Sequence, residues 1–243
     1  MKRQSDMAIP KVIHQLWRTS QVPPRWRRTV ASVQRYHPGW EYRLWTDYAM
    51  ELHVRRQHPR LYPIYMGFNR NIMRVDVFRY VLMHDFGGLY CDLDYEFLRP
   101  YDYGTAALVL SLERDIAYGD PENCVANYFV ASIPRHQFWQ DVLEEIIGSP
   151  PTTGSFHDVV QATGPGLLTR VLLRDPARYA DLELTPQPVF SPQRVHGPRE
   201  RKIYLNSGIT YGFHHGWGTW KERWRLDYLI PKVCRLMPTW AVP

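Results

Sequence analysis

The chain has 243 residues, 44% hydrophobic and 14% aromatic with nine Trp and sixteen Tyr, and carries a formal net charge of +6. This composition excludes a disordered chain and supplies core for a single domain spanning 1–243; the positive balance suits an anionic partner, whether nucleotide diphosphate, lipid head group or nucleic acid. Cys91, Cys124 and Cys234 form neither a metal-ligand spacing nor a full disulfide set, which argues for reduced thiols in a cytosol-like compartment and against a structural zinc. The start, MKRQSDMAIPKVIHQLW, has basic residues without an apolar signal region, and no apolar run is long enough to span a bilayer. The expectation is a protein without a transmembrane segment, cytoplasmic or peripheral on a membrane surface.

KVIHQLW, 11–17, alternates apolar and polar residues after Pro10 and predicts a first strand. Pro24 starts a predicted helix carrying Trp26, Val30 and Val33, and WEYRLW, 40–45, predicts a second strand, giving β-α-β. From Asn69 to Asp85 the residues Ile72, Val75, Phe78, Val81 and Leu82 recur at three and four, and FGG closes the segment as a helix stop. That helix runs directly into GGLYCDLDYEF, 87–97, which reads as a buried strand. AALVLSL, 106–112, and ANYFVAS, 126–132, predict strands, and 135–147 a helix. The Pro, Gly, Ser and Thr of 148–166 and the prolines of 185–201 predict loops, while GITYGFHHGWGTW, 208–220, predicts a short strand and a turn. The alternation argues for an α/β domain, a mixed or mostly parallel sheet flanked by helices.

Asp92 and Asp94 stand two apart. On a strand, such residues share a side, so their carboxylates converge and repel unless a cation lies between them. Hard oxygens without clustered Cys or His suit magnesium or manganese, with substrate phosphates in the remaining positions. The bland alternative is a solvated strand end; the neighbours Leu89, Tyr90, Phe97 and Leu98 weigh against it, because an unpaired buried carboxylate is costly. On the preceding helix Asp76, Arg79 and Tyr80 share a face. They read equally as a surface ion pair or as ligand-facing groups, with Arg79 toward a diphosphate or holding Asp76 toward a sugar hydroxyl. His14, Gln15 and Trp17 end the first strand, the edge at which open α/β sheets bind ligands, with core packing the alternative for Trp17. His214 and His215, with Gly216, Gly218 and Trp220, make a tight turn suited either to capping a metal or to structural histidines.

Together, IPKVIHQLW, RVDVFRYVLMHDFGGLYCDLD, NYFVASIPRHQFW, ATGPGLLT and HHGWGTW resemble the DxD-containing, sugar-binding-region glycosyltransferases. That family includes fungal α-mannosyltransferases and, most clearly in the NYFVAS and ATGPGLLT blocks, mannosyltransferases acting on inositol phosphoceramide. The match runs from Ile9 to Trp220 and leaves 221–243 as a tail. The resemblance implies a GT-A fold, Rossmann-like, with a nucleotide-sugar donor, Mn2+ or Mg2+, and retention of anomeric configuration. Carried over by position, it makes Asp94 the direct metal ligand and gives Asp92 both the ribose or donor sugar and the ion's shell. It implies that Asp76 and Arg79 hold the sugar, that Tyr90 belongs to the same donor-binding block, and that Trp17 with its neighbours His14 and Gln15 flanks the base. In the tail, His214, Gly218, Thr219 and Trp220 match the family's H-x-x-x-G-S-W with Thr for Ser. His214 is then the better metal candidate, His215 the second, and Trp220 a donor to the diphosphate; GWG just before Thr219 departs from the pattern. GDP-mannose is the expected donor, with UDP-galactose, UDP-glucose or UDP-N-acetylglucosamine as the alternative. The expected acceptor is a hydroxyl of a glycan or glycolipid, with no nucleic acid; the C-terminal YLIPKVCRLMPTW suits either an anionic lipid surface or a core helix. Two rival classes are a metal-dependent phosphodiesterase or nuclease, which the lack of a further acidic–histidine cluster disfavours, and a non-catalytic module for anionic glycans or lipids.

Overall fold

The computed structural model describes residues 8–113, 124–150, 156–192 and 198–217. Strand β1 (Val12–Leu16) is buried along its whole length. Pro24 seeds a 3-10 turn over Pro24–Trp26, which leads into α1 (Arg27–Tyr36) and buries Trp26, Thr29 and Val33. Strand β2 (Glu41–Trp45) returns parallel to β1. Two helices absent from the sequence reading follow. In α2 (Asp47–Gln57), the Thr46 hydroxyl caps the first turn by accepting the Ala49 N–H at 3.2 Å; α3 (Tyr62–Gly67) carries Pro63 in its first turn. Helix α4 (Asn71–Asp85) is no surface helix with one apolar stripe, for every residue from Asp76 to Met83 is buried.

From Phe86 the chain turns straight into β3 (Gly88–Cys91) through Gly87 and Gly88, at φ +62° and +86°. A Cβ on Gly87 would lie 2.6 Å from the Ser132 carbonyl oxygen, and one on Gly88 only 2.4 Å from that of Val12. Both positions therefore demand glycine, for backbone angle and for space. The remaining elements are β4 (Tyr95–Phe97), β5 (Leu108–Leu112), β6 (Val125–Ser132), α5 (Gln137–Gly148), α6 (Phe156–Ala162), α7 (Pro165–Arg174), β7 (Leu182–Thr185), α8 (Gln187–Phe190), α9 (Pro198–Asn206) and β8 (Gly212–His214).

The main sheet has six strands in the order β2-β1-β3-β6-β5-β7, and β6 alone runs against the others. It is the mixed, mostly parallel sheet flanked by helices that the alternation predicts. One hydrophobic cluster joins α4, α5 and α7, with Tyr80 stacked on Trp139 at 5.9 Å. A second, containing Val33, Phe129 and Phe190, joins the sheet to α1 and α8.

The structure corrects the sequence reading in two places. Residues 87–97 are not one strand: β3 ends at Cys91, Asp92–Asp94 form a turn, and β4 belongs to a separate two-stranded sheet with β8. The stretches 148–166 and 185–201 contain α6, the start of α7, α8 and the start of α9. Pro165 and Pro188 lie in first turns, where a missing N–H costs nothing, and α7 buries Leu167, Leu168, Val171 and Leu172 behind Pro165. Among the described residues no helix is long and apolar enough to cross a membrane. Cys91 and Cys124 are buried, and Cys234 lies outside the described residues.

Candidate active site

The turn beyond β3 is pinned from several sides. The Asp92 N–H donates to the Tyr128 carbonyl at 3.0 Å; the Asp92 carbonyl accepts from the Tyr95 N–H at 3.0 Å and from Gln15 Nε2 at 3.2 Å. The Leu93 carbonyl accepts the Thr29 hydroxyl. A fixed turn, and not alternation along a strand, thus brings the two carboxylates together.

Strand β8 pairs antiparallel with β4, Tyr95 opposite His214. This sets His214 Nε2 2.9 Å from Asp94 Oδ1 and 3.6 Å from Asp92 Oδ2, with the imidazole stacked on Tyr128 at 4.2 Å. Asp94 Oδ2 accepts the Trp217 N–H at 2.8 Å, and the Asp94 carbonyl accepts the His215 N–H at 3.0 Å. Burial opposes the charge of Asp94, yet His214 and the Trp217 N–H hold its carboxyl below the usual range. Burial likewise opposes a charged His214, and Asp94 more than offsets it, so the imidazole is raised. Asp92, Asp94 and His214 offer ligand atoms within 4.8 Å of one another. Two hard oxygens and one imidazole nitrogen fit a divalent ion such as manganese or magnesium that keeps positions for phosphate oxygens.

His215 points the other way, as adjacent residues leaving a strand do. Its Nε2 lies 3.0 Å from Glu96 Oε2, and Glu96 also accepts from Arg28 at 3.3 Å. The second metal candidate is therefore committed to Glu96 and stands outside the cluster.

Asp76 and Arg79 are not a surface pair. They are 4% and 3% exposed, and Arg79 Nη2 meets Asp76 Oδ1 at 2.9 Å. Arg79 Nη1 donates to the Asn127 carbonyl at 2.6 Å and lies 3.5 Å from Asp92 Oδ1. Asp76 also accepts from Asn127 Nδ2 and from the Thr163 hydroxyl, each at 3.1 Å. Burial pushes the Asp76 carboxyl up to about 7 against the pull of Arg79, while Tyr90, Asp92 and Asp76 together outweigh burial and keep Arg79 cationic. Tyr90 donates its hydroxyl to Asp92 Oδ1 at 2.5 Å, and its ring lies 5.0 Å from the Arg79 guanidinium carbon. These residues form a buried floor whose groups reach Asp92.

His14, expected at the donor, is fully buried and occupied on both nitrogens. Trp45 Nε1–H donates to its Nδ1 at 3.0 Å, Nε2 lies 3.1 Å from the Gly87 carbonyl oxygen, and burial pushes the imidazole down to about 4. It braces the glycine turn and is closed to any ligand. Gln15 is also buried and acts on the turn, accepting the Tyr42 hydroxyl at 2.9 Å while its Nε2 holds the Asp92 carbonyl. Trp17 is half-buried, edge-on to Trp26 at 4.2 Å. Gly218, Thr219 and Trp220 lie outside the described residues. Asn127, Thr163, Tyr128 and Trp217 received no role from the sequence. The blocks NYFVAS and ATGPGLLT hold the first three, but pairwise contacts with Asp76 across 51 and 87 positions leave no local pattern.

Known proteins resemble this chain in sequence and in fold. The family described as "Glycosyltransferase sugar-binding region containing DXD motif" matches residues 23–109. Inositol phosphoceramide mannosyltransferase 1 of Schizosaccharomyces pombe is 32% identical over 57% of this chain and 43% of its own length. A mannosyl phosphorylinositol ceramide synthase of Saccharomyces cerevisiae is 29% identical over 87% of this chain and 53% of its own. The chain thus spans about half the length of the curated relatives it matches. The solved PaToxG glycosyltransferase, 14% identical, covers 84% of this chain and 89% of its own with a TM-score of 0.54, a likeness of fold. Residues 23–109 thus match the glycosyltransferase sugar-binding region that bears the DXD motif, and the chain has a GT-A fold.

Proposed function

We propose that this chain is a metal-dependent, retaining glycosyltransferase that moves mannose from GDP-mannose onto a glycolipid hydroxyl. The observation that carries the reading is the convergence of Asp92, Asp94 and His214 over the buried Asp76–Arg79 floor. Asp94 is kept anionic by His214 and the Trp217 N–H; Asp92 is oriented by Tyr90 and Arg79. When bound, a divalent ion supplies positive charge to the diphosphate as its bond to the sugar breaks. Arg79 adds a second fixed positive charge beside Asp92, and its burial keeps that charge from reorganising.

In the transfer, the bond from the sugar's anomeric carbon to the diphosphate breaks and one to the acceptor oxygen forms on the same face. A phosphate oxygen takes the hydroxyl proton, so the chain needs no nucleophile of its own. The relatives named for inositol phosphoceramide mannosylation support mannose and an anionic glycolipid, and the net charge of +6 suits peripheral contact with an anionic membrane.

The test is donor turnover with manganese. GDP-mannose should raise the thermal midpoint and be hydrolysed or transferred, and Asp94→Ala should abolish turnover while remaining folded. Full turnover in that variant refutes the metal assignment, and stabilisation by a UDP-sugar alone assigns the other donor class.

A further inference from the structure

We propose that His53, His58 and Asp85 form a second divalent-metal site, selective for a transition ion of the zinc class, that clamps α2 to α4. His53 Nε2 lies 2.6 Å and His58 Nε2 2.8 Å from the same oxygen, Asp85 Oδ2. His84 Nδ1 lies 2.7 Å from the other oxygen, Oδ1, and so orients the carboxylate. The three ligand atoms lie within 4.8 Å of one another. Their side chains are 15%, 16% and 17% exposed, covered but within reach of an ion from solvent.

Two imidazole nitrogens and one carboxylate oxygen select zinc-class ions over magnesium or calcium, and they leave a fourth position for water. A tetrahedral ion with ligands at about 2.0–2.1 Å spaces them roughly 3.3 Å apart, so each histidine–carboxylate spacing needs to open by about 0.5–0.7 Å. The field favours a cation as well. Helix α2 ends at Gln57 with His58 as its cap, and α4 ends at Asp85, so the negative ends of two helices meet here. Aromatic contacts hold His53 in place: Trp45 is edge-on at 5.6 Å and Phe86 lies at 5.2 Å.

This site is distinct from the DXD turn, and it is a further acidic–histidine cluster that the sequence does not reveal, so the lack of one no longer weighs against a phosphodiesterase. It precedes β3, whereas Asp92 and Asp94 follow it, and it is rich in nitrogen where the other is rich in oxygen. The cysteine spacing argues against a structural zinc, and it is silent on histidines brought to Asp85 from 27 and 32 positions away.

Untagged protein is stripped with chelator, reloaded with zinc chloride and desalted, and its zinc is counted by mass spectrometry, with Asp94→Ala as the background that weakens the oxygen site. One zinc per chain should persist in that background and be lost in His53→Gln and His58→Gln, and cobalt should give tetrahedral absorption bands only where zinc is retained. No zinc retained at low-micromolar free metal, or retention unchanged in both glutamine variants, overturns the proposal. Should either variant fail to fold, histidine carbethoxylation of wild-type protein reads the same site. Zinc should slow labelling of His53 and His58 at least tenfold, and equal labelling with and without zinc overturns the assignment.

Discussion

Replacing Arg79 by Met keeps most of the stem and removes the guanidinium. Asp76 then loses a partner at 2.9 Å, Asp92 a contact at 3.5 Å and the Asn127 carbonyl a donor at 2.6 Å. Breaking a buried pair from one side costs about 3–5 kcal/mol, because the charge left behind is uncompensated. Thr163 and the Asn127 side chain still donate to Asp76, which places the loss near the lower end, about 3 kcal/mol. Proton uptake by Asp76 makes that loss depend on pH. Its folded value of about 7 stands above the ordinary carboxylate value of about 3.9, so the fold holds a proton the unfolded chain has released. Its contribution is full below about pH 4 and is lost as pH rises through 7. Removing Arg79 pushes Asp76 higher still, so the deficit should be smallest near pH 5 and largest near pH 8. Adding Asp76→Asn removes the stranded charge and should restore more than half of the loss. Urea unfolding followed by Trp fluorescence at pH 5, 6.5 and 8 measures all of this. A deficit at pH 8 below about 1 kcal/mol, the size of an exposed pair, or a double variant that simply sums the singles, would refute the reasoning.

Other outcomes follow from the same contacts. His14, pushed down to about 4 by burial, stays neutral in the fold while the unfolded chain protonates near 6.5. Stability present above that value is therefore lost as pH falls toward 4, by about 3 kcal/mol. This slope opposes that of Asp76, so it is read as wild type against His14→Gln between pH 7 and 4.5, and equal slopes count against it. Gly88→Ala forces a non-glycine residue to φ +86° at about 1–2 kcal/mol and drives its Cβ into the Val12 carbonyl, so the thermal midpoint should collapse; an unchanged midpoint contradicts the close approach. Asp94→Asn should erase the manganese-dependent thermal shift and lower donor turnover by at least about 100-fold, and a shift as large as that of wild type excludes Asp94 as a ligand.

Much of the scaffold was legible from the sequence because period and punctuation survive locally. The strands at 12–16 and 41–45 lie where alternation puts them, those at 108–112 and 125–132 where apolar strand-length runs do, and the helix ending at Asp85 follows its three-and-four spacing. Helices α7 and α8 were hidden because proline marks both a loop and a first helical turn, and only the burial of Leu167 or Phe190 tells them apart. The acidic pair was visible; its geometry was not, since the turn is set by Thr29, Gln15 and Tyr128 from three other elements. The resemblance ranked His214 above His215 as a metal candidate but carried no geometry; pairing with β4 sends the first to Asp94 and the second to Glu96. His14 shows the reverse error: a polar residue at a strand's productive end read as a ligand contact, although its hydrogen bonds are spent on Trp45 and Gly87.

The clasp between β4 and β8 imposes an order of events during synthesis. All six strands of the main sheet have emerged from the ribosome once Thr185 is out, yet the imidazole that faces Asp94 arrives 120 positions after its partner. Until then the two carboxylates of the turn lack their imidazole, so the DXD cluster gains its third ligand only when the strand that follows the main sheet pairs with β4.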